Sequence, residues 1–324
     1  RGPTAGCARL VPHVAGGEAV ADFEIVDTHV HTFPSAGIGR QAMTGASHGT
    51  DESGTIEELQ SLMPDLGISH AAMVNFTTVI EMRDAALAKL PPDLPAEDRA
   101  QVETDLRRTL AGRIRRRNDW TCAVGRQDPR LSAFIGVDPT MMDPAELTAE
   151  VERCRGQGAK GIKLHPVVQQ FHIDDERLRP IYETAQRLEM PIIFHGGYFI
   201  AGQGGEYARP RRLARIAEQY PRLTSVLAHC GVGFFEESIE LAEQYPNVYF
   251  DCCAIIIPDS PLARLDDDEL VNLLRRLGTD RVFYGSDWPF YDPRADLERL
   301  RGLALTDDEK RRIFSQNARR VLGF

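Results

Sequence analysis

Short β-branched or apolar runs alternate with helix-period segments along nearly the whole chain, and this alternation limits the available folds more than any other feature. The first run is EIVDTHVH, from Glu24, and the second is AAMVNF, from Ala71. LSAFIGVDP, AKGIKLHP, PIIFHGG, LTSVLAHCG, NVYFDCCA and RVFYGSDWP follow, making eight. Between them lie amphipathic stretches such as DERLRPIYETAQRLEM, in which Leu178, Ile181, Tyr182, Ala185 and Leu188 share one helical face. Strands that alternate with helices pair in parallel through right-handed crossovers. Eight such units close most economically into a (β/α)8 TIM barrel, an α/β fold. A doubly wound open sheet is the rival, but no GxGxxG follows the first strand.

Three segments depart from the alternation. Residues 1–23, Gly/Ala-rich and without an initiator Met, read as an N-terminal arm outside the barrel domain of 24–324. Ser35 to Gly54 reads as a polar, Gly-rich loop. The stretch from about 82 to 127 is too long for a simple crossover and predicts a helical insertion after strand two. Its basic run RRTLAGRIRRR offers a surface for a homodimer or a solvated cap.

The formal charge of −10 is spread over mixed helices, which argues against a nucleic-acid partner. No apolar run reaches the length of about 20 residues that a membrane span needs. Six cysteines without a CxxC suggest neither a zinc knuckle nor a disulfide framework, so a reducing cytoplasm is the expected location.

Polar residues suited to chemistry collect at the C-terminal ends of the strands, the active-site face of such a barrel. His29 and His31 lie two apart on one strand and can turn two imidazoles toward one ion. His195 and His229 each end an apolar run and precede glycine-containing turns, where a core histidine is the bland alternative. Lys163 shares a strand face with His165; inward, its charge needs a partner, and outward it is an ordinary surface lysine. Asp287 closes strand eight, beside strand one in a closed barrel. It is placed to contact an ion held by His29, His31 and His195 and to act as base toward its water, or else to cap a turn. Arg40, His48, Arg126, Tyr198, Phe199 and Trp288 are the loop residues available to read a small substrate, with Trp288 placed to wall the pocket.

In that order, DTHVH, GIKLHP, FHGG, LAHCG and YGSDWP resemble the amidohydrolase superfamily of metal-dependent barrels, in the branch typified by aminocarboxymuconate-semialdehyde decarboxylase. The likeness runs from about residue 24 to 324. It implies His29, His31, His195 and Asp287 as ligands of a divalent metal, zinc or alternatively manganese. His229 then orients water or substrate, or joins Lys163 on a second ion, so the resemblance leaves the count at one or two. The branch contains both hydrolases of lactones, amides and esters and non-oxidative decarboxylases of aromatic or dienoic acids. A KLHP-like fourth strand tilts the expectation to a metal-dependent hydrolase acting on a small carboxylate-type substrate. Decarboxylation is the alternative, and a catalytically inactive binding barrel is the third reading.

Overall fold

The computed structural model describes residues 23–44, 50–199, 203–258, 260 and 262–324, so Cys7, His48 and all of the expected arm but Phe23 lie outside the described residues. Eight strands run in chain order around one sheet: β1 (Ile25–Val30), β2 (Ile68–Val74), β3 (Leu131–Gly136), β4 (Gly161–Leu164), β5 (Ile192–Phe194), β6 (Ser225–Leu227), β7 (Val248–Asp251) and β8 (Val282–Phe283). Every neighbouring pair is parallel. The ring closes through backbone bonds between β1 and the chain just beyond β8. Thr28 donates to the Tyr284 carbonyl at 3.0 Å, Asp287 to that of His29 at 2.8 Å and His31 to that of Trp288 at 2.6 Å.

The connections carry α1 (Ala36–Ala42) and α2 (Ile56–Leu66) after β1, α3 (Val79–Leu87) and α4 (Ala96–Gln127) after β2, and α5 (Pro144–Gly156) after β3. After β4 come α6 (Pro166–Gln169) and α7 (Arg179–Arg187). Then α8 (Pro210–Gln219), α9 (Phe235–Gln244) and α10 (Asp267–Leu277) each follow one strand, and α11 (Pro293–Gly302), α12 (Asp307–Arg311) and α13 (Asn317–Leu322) follow β8. The starts are written in the sequence: Thr55/Glu58, Asp143/Glu146, Asp266/Glu269 and Thr306/Glu309 form reciprocal capping boxes.

Strand alternation sorts the core into two layers. Ile162, Leu164, Ile192, Phe194, Phe250 and Val282 pack outward under the helices. Val26, Ala72, Val74, Phe134, Ile193, Val226 and Phe283 fill the barrel interior, with Ala318 and Leu322 of α13 packed on them. That inner layer is the floor on which the mouth is built.

Three expected elements differ in detail. The segment read as a loop from Ser35 to Gly54 contains α1, started by the Ser35 hydroxyl accepting from the Ile38 amide. The helix expected from Asp175 begins as a 3-10 turn, Glu176–Leu178, and only then becomes α7, where Pro180, lacking an N–H, fits the first turn. In the expected insertion, α4 is 32 residues long; from Leu110 onward it buries Leu110, Ala111, Ile114, Cys122 and Val124 and serves as the crossover helix to β3. Only the part before Leu110 stands out as an addition.

Candidate active site

Strand parity delivers Lys163 and His195. With Ile162 and Leu164 facing the helices, Lys163 turns inward and is buried, Nζ lying 3.2 Å from His29 Nε2. His195 stands two residues past the inward Ile193. In β1 the pairing register slips between Asp27 and Val30, so the inward face passes from Val26 to His29 and His31. His229 would point outward by simple alternation. Its left-handed backbone, with φ of 56° followed by 48° at Cys230, brings its ring instead to within hydrogen-bonding distance of His195. Asp287 is also left-handed, at φ 61°. Gly285 is required by close approach: a Cβ there would lie 2.8 Å from the Cβ of His29.

His29, His31 and Asp287 converge, one ligand atom from each lying within 4.8 Å of the others, as do ligand atoms of His29, His229 and Cys253. Asp287 Oδ1 is 3.1 Å from His31 Nε2 and 3.7 Å from His29 Nε2. His29 is held from behind, its Nδ1 2.8 Å from Oδ2 of the buried Asp251. Burial pushes the Asp287 pKa up, but the His31 hydrogen bond and the charges of His29, His31 and His229 outweigh it, so the carboxylate titrates below its ordinary range. Burial, with Lys163 nearby, lowers His29 to about 4, so near neutral pH the ring is uncharged, with one N–H and one free lone pair. Burial likewise lowers His31 and Lys163. Two neutral imidazoles and an ionised carboxylate, dry and convergent, fit a divalent cation of the zinc or manganese type.

A second group borders the first. His229 Nε2 lies 3.0 Å from His195 Nδ1, while the outer nitrogens of the two rings approach the backbone carbonyls of Cys253 and Tyr198, each at 3.2 Å. The His165 ring stacks on His195 with centroids 4.1 Å apart. Phe76, Phe199 and Phe290 stand edge-on or tilted to His31, His165 and His195 at 4.9 to 5.8 Å, an aromatic surround for a flat ligand.

The structure thus gathers His29, His31, Asp287, Lys163, His165, His195, His229 and Phe199. His195 is engaged by His229 and Tyr198 and stands outside both groups of three. The other candidates have other surroundings. Arg40 is exposed on α1, and Arg126 spends its guanidinium on the Gln157 carbonyl. Tyr198 contributes its backbone carbonyl, its ring lying against Phe234 at 4.8 Å. Trp288 is fully buried with its indole N–H donating to Glu52, so it braces the mouth from behind rather than lining it. Residues the sequence reading passed over are Asp251 and Cys253 at the end of β7, and Phe76 and Phe290. Asp251 ends an apolar run, as Asp287 does, and that signal was available.

The profile of the Amidohydrolase family matches residues 26–324. A 2-amino-3-carboxymuconate-6-semialdehyde decarboxylase of Dictyostelium discoideum is 26% identical over 238 residues, 64% of this chain and 65% of that protein. Among solved structures, an uncharacterised TIM-barrel protein of Bordetella bronchiseptica superposes with a TM-score of 0.69 at 18% identity, over 92% of this chain and 98% of its own. A dihydroxybenzoic acid decarboxylase of Polaromonas sp. JS666, solved with manganese and the inhibitor 2-nitroresorcinol, gives 0.65 at 17% identity, over 93% and 97%. Because the matched span takes in all of the barrel except Ile25, and with it every strand-end histidine and Asp287, the chain belongs to the amidohydrolase family.

Proposed function

We propose that the protein is a metal-dependent, non-oxidative decarboxylase of a small aromatic or conjugated carboxylic acid. The observation that carries this reading is the pairing of the His29–His31–Asp287 group with a histidine pocket edged by Phe76, Phe199 and Phe290. Two of the relatives, in D. discoideum and Polaromonas, are decarboxylases, and the second holds manganese. The hydrolase expectation therefore gives way to its alternative.

His29, His31 and Asp287 would hold the cation, with His195 as the further donor proposed from the family likeness. When bound, the ion supplies positive charge that fixes the substrate's oxygens and lowers the energy of the electron pair left by departing carbon dioxide. The phenylalanines orient a flat ring by its edges and keep water away. Lys163, buried beside His29, would attract the carboxylate in its protonated form. The bond between the ring carbon and the carboxylate carbon breaks, its electrons staying on the ring carbon. A proton then takes the vacated position, delivered by His229, whose Nε2 faces His195 Nδ1.

The test is a carbon-13 carboxyl-labelled panel of aromatic and dienoic acids, 2,6-dihydroxybenzoate among them, set beside a panel of lactones, amides and esters. Labelled carbon dioxide, about one equivalent of manganese or zinc, and loss of both metal and turnover in His29→Ala are expected. Carbonyl hydrolysis without carbon dioxide release by the metal-loaded protein would instead establish the second reading, which Lys163 beside His29 favours. Full activity of the metal-free protein would sink both.

A further inference from the structure

Asp251 is the most heavily used carboxylate of the mouth. It ends β7, is fully buried, and accepts from four donors on three segments of chain. Its Oδ2 lies 2.8 Å from His29 Nδ1. Its Oδ1 accepts the His229 amide at 3.0 Å, the Cys253 amide at 3.3 Å and the Cys253 thiol at 2.8 Å. The His229 amide belongs to the left-handed residue that swings that histidine into the mouth.

We infer that Asp251 is the positioning residue of this site: it holds the proton of His29 on Nδ1, so that the Nε2 lone pair faces Asp287 and Lys163, and ties the same carboxylate to the turn that carries His229. An ionised carboxylate only accepts, so a hydrogen bond to it requires N–H at Nδ1. The opposite nitrogen is then the only one able to ligate a cation. Carboxylates behind metal-binding imidazoles set tautomer and ring orientation in this way, and their loss typically costs about 10–100-fold in metal affinity. By binding both His29 and the His229 backbone, Asp251 also gives strand one and strand six a common anchor. The part of this inference that concerns metal affinity rests on the proposed metal-dependent reading; the tautomer does not.

The test is Asp251→Asn, which keeps the shape but places an NH2 group against donors. In the metal-free wild type, nitrogen-15 chemical shifts of the His29 ring should report protonated Nδ1 and an unprotonated Nε2. In the variant the tautomers should mix or invert, the His229 amide resonance should shift, and calorimetric titration with manganese should show affinity about 10–100-fold weaker.

A wild type with Nε2 protonated overturns the inference without any variant, so it remains falsifiable even where Asp251→Asn does not fold. An Asp251→Asn protein with wild-type tautomer and wild-type manganese affinity overturns it as well. Wild-type protein that binds neither manganese nor zinc overturns the metal reading and the affinity arm built on it, while the nitrogen-15 arm still decides what Asp251 does to His29.

Discussion

Asp287 does two jobs from one left-handed residue: its amide closes the barrel onto the His29 carbonyl at 2.8 Å, and its carboxylate meets His31 at 3.1 Å. Asp287→Asn keeps the amide and the shape while removing the charge, so it separates the jobs. The expected outcome is a folded protein of near wild-type Tm in chelator, with manganese affinity reduced by more than the 10–100-fold of a lost supporting contact, and no turnover. Lys163→Met removes the inward cation and fills its volume. If Lys163 attracts the substrate carboxylate, the metal count stays at one and KM for the acid rises more than about tenfold; a fall from two equivalents to one would mark Lys163 as holding a second ion. At this scale much was legible. The strand-end positions of His29, His31, Lys163, His195 and Asp287 were legible, but parity accounts only for the inward turn of Lys163 and His195; His29 and His31 face inward through the slipped pairing of β1, and Asp287 sits on a left-handed residue beyond β8. His229 was found for its position but not its orientation, which depends on a backbone twist no periodicity reports. The aromatic edges were hidden for another reason: Phe76 and Phe290 look like core residues until the fold places them beside His31.

Among the elements, α4 shows how a crossover helix comes to frame a catalytic mouth. Its buried half joins the barrel through polar staples. Asn118 donates to the Gly136 carbonyl at 2.9 Å, accepts the Gly136 amide at 3.0 Å and donates to Glu150 at 2.8 Å. The preceding residue, Arg117, donates to the Thr32 carbonyl and, at 3.0 Å, to the Asn75 side chain, lying over the rings of Phe33 and Trp120. Thr32 follows His31 and Asn75 precedes Phe76, so the helix holds two walls of the mouth by their adjoining residues. Asn118→Ala would take the Asn118 partner from the buried Gly136 amide and carbonyl, at about 1–3 kcal/mol for a buried donor or acceptor left unmade, while Glu150 keeps its bonds from Arg153. Urea unfolding should show a lower midpoint with an unchanged m-value. Length and basicity made this region look like an inserted cap, because arginines that bond neutral or intramolecular partners are indistinguishable in sequence from solvated ones. Arg107 and Arg115 in fact pair with Glu146 on α5.

For the whole molecule, a barrel that gathers acids at its mouth must bury some of them without help. Asp296, on α11, has neither carboxylate oxygen hydrogen-bonded and is fully buried. Burial first, then the charges of Asp27, Asp287 and Asp292, pushes its pKa well above the ordinary carboxylate value. The native state therefore holds a proton that the unfolded chain releases, and linkage gives the sign. The stability associated with that proton is fully present below the ordinary carboxylate pKa and is progressively lost as pH rises toward the raised native one. Asp27, raised to about 7 by burial against its bonds to Ser286 and His29, adds a loss of the same sign that is complete once pH passes about 7. Asp296→Asn leaves Asp27 untouched and replaces a group that must be neutral by one that always is. Its Tm should exceed that of the wild type at neutral and mildly alkaline pH, and the two should converge in acid. Measuring both proteins in chelator across one pH series removes metal binding at the mouth from the difference. An Asp296→Asn protein that is less stable than the wild type by a constant amount at every pH would show that the native carboxyl is not carrying the proton, and that something at α11 compensates its charge.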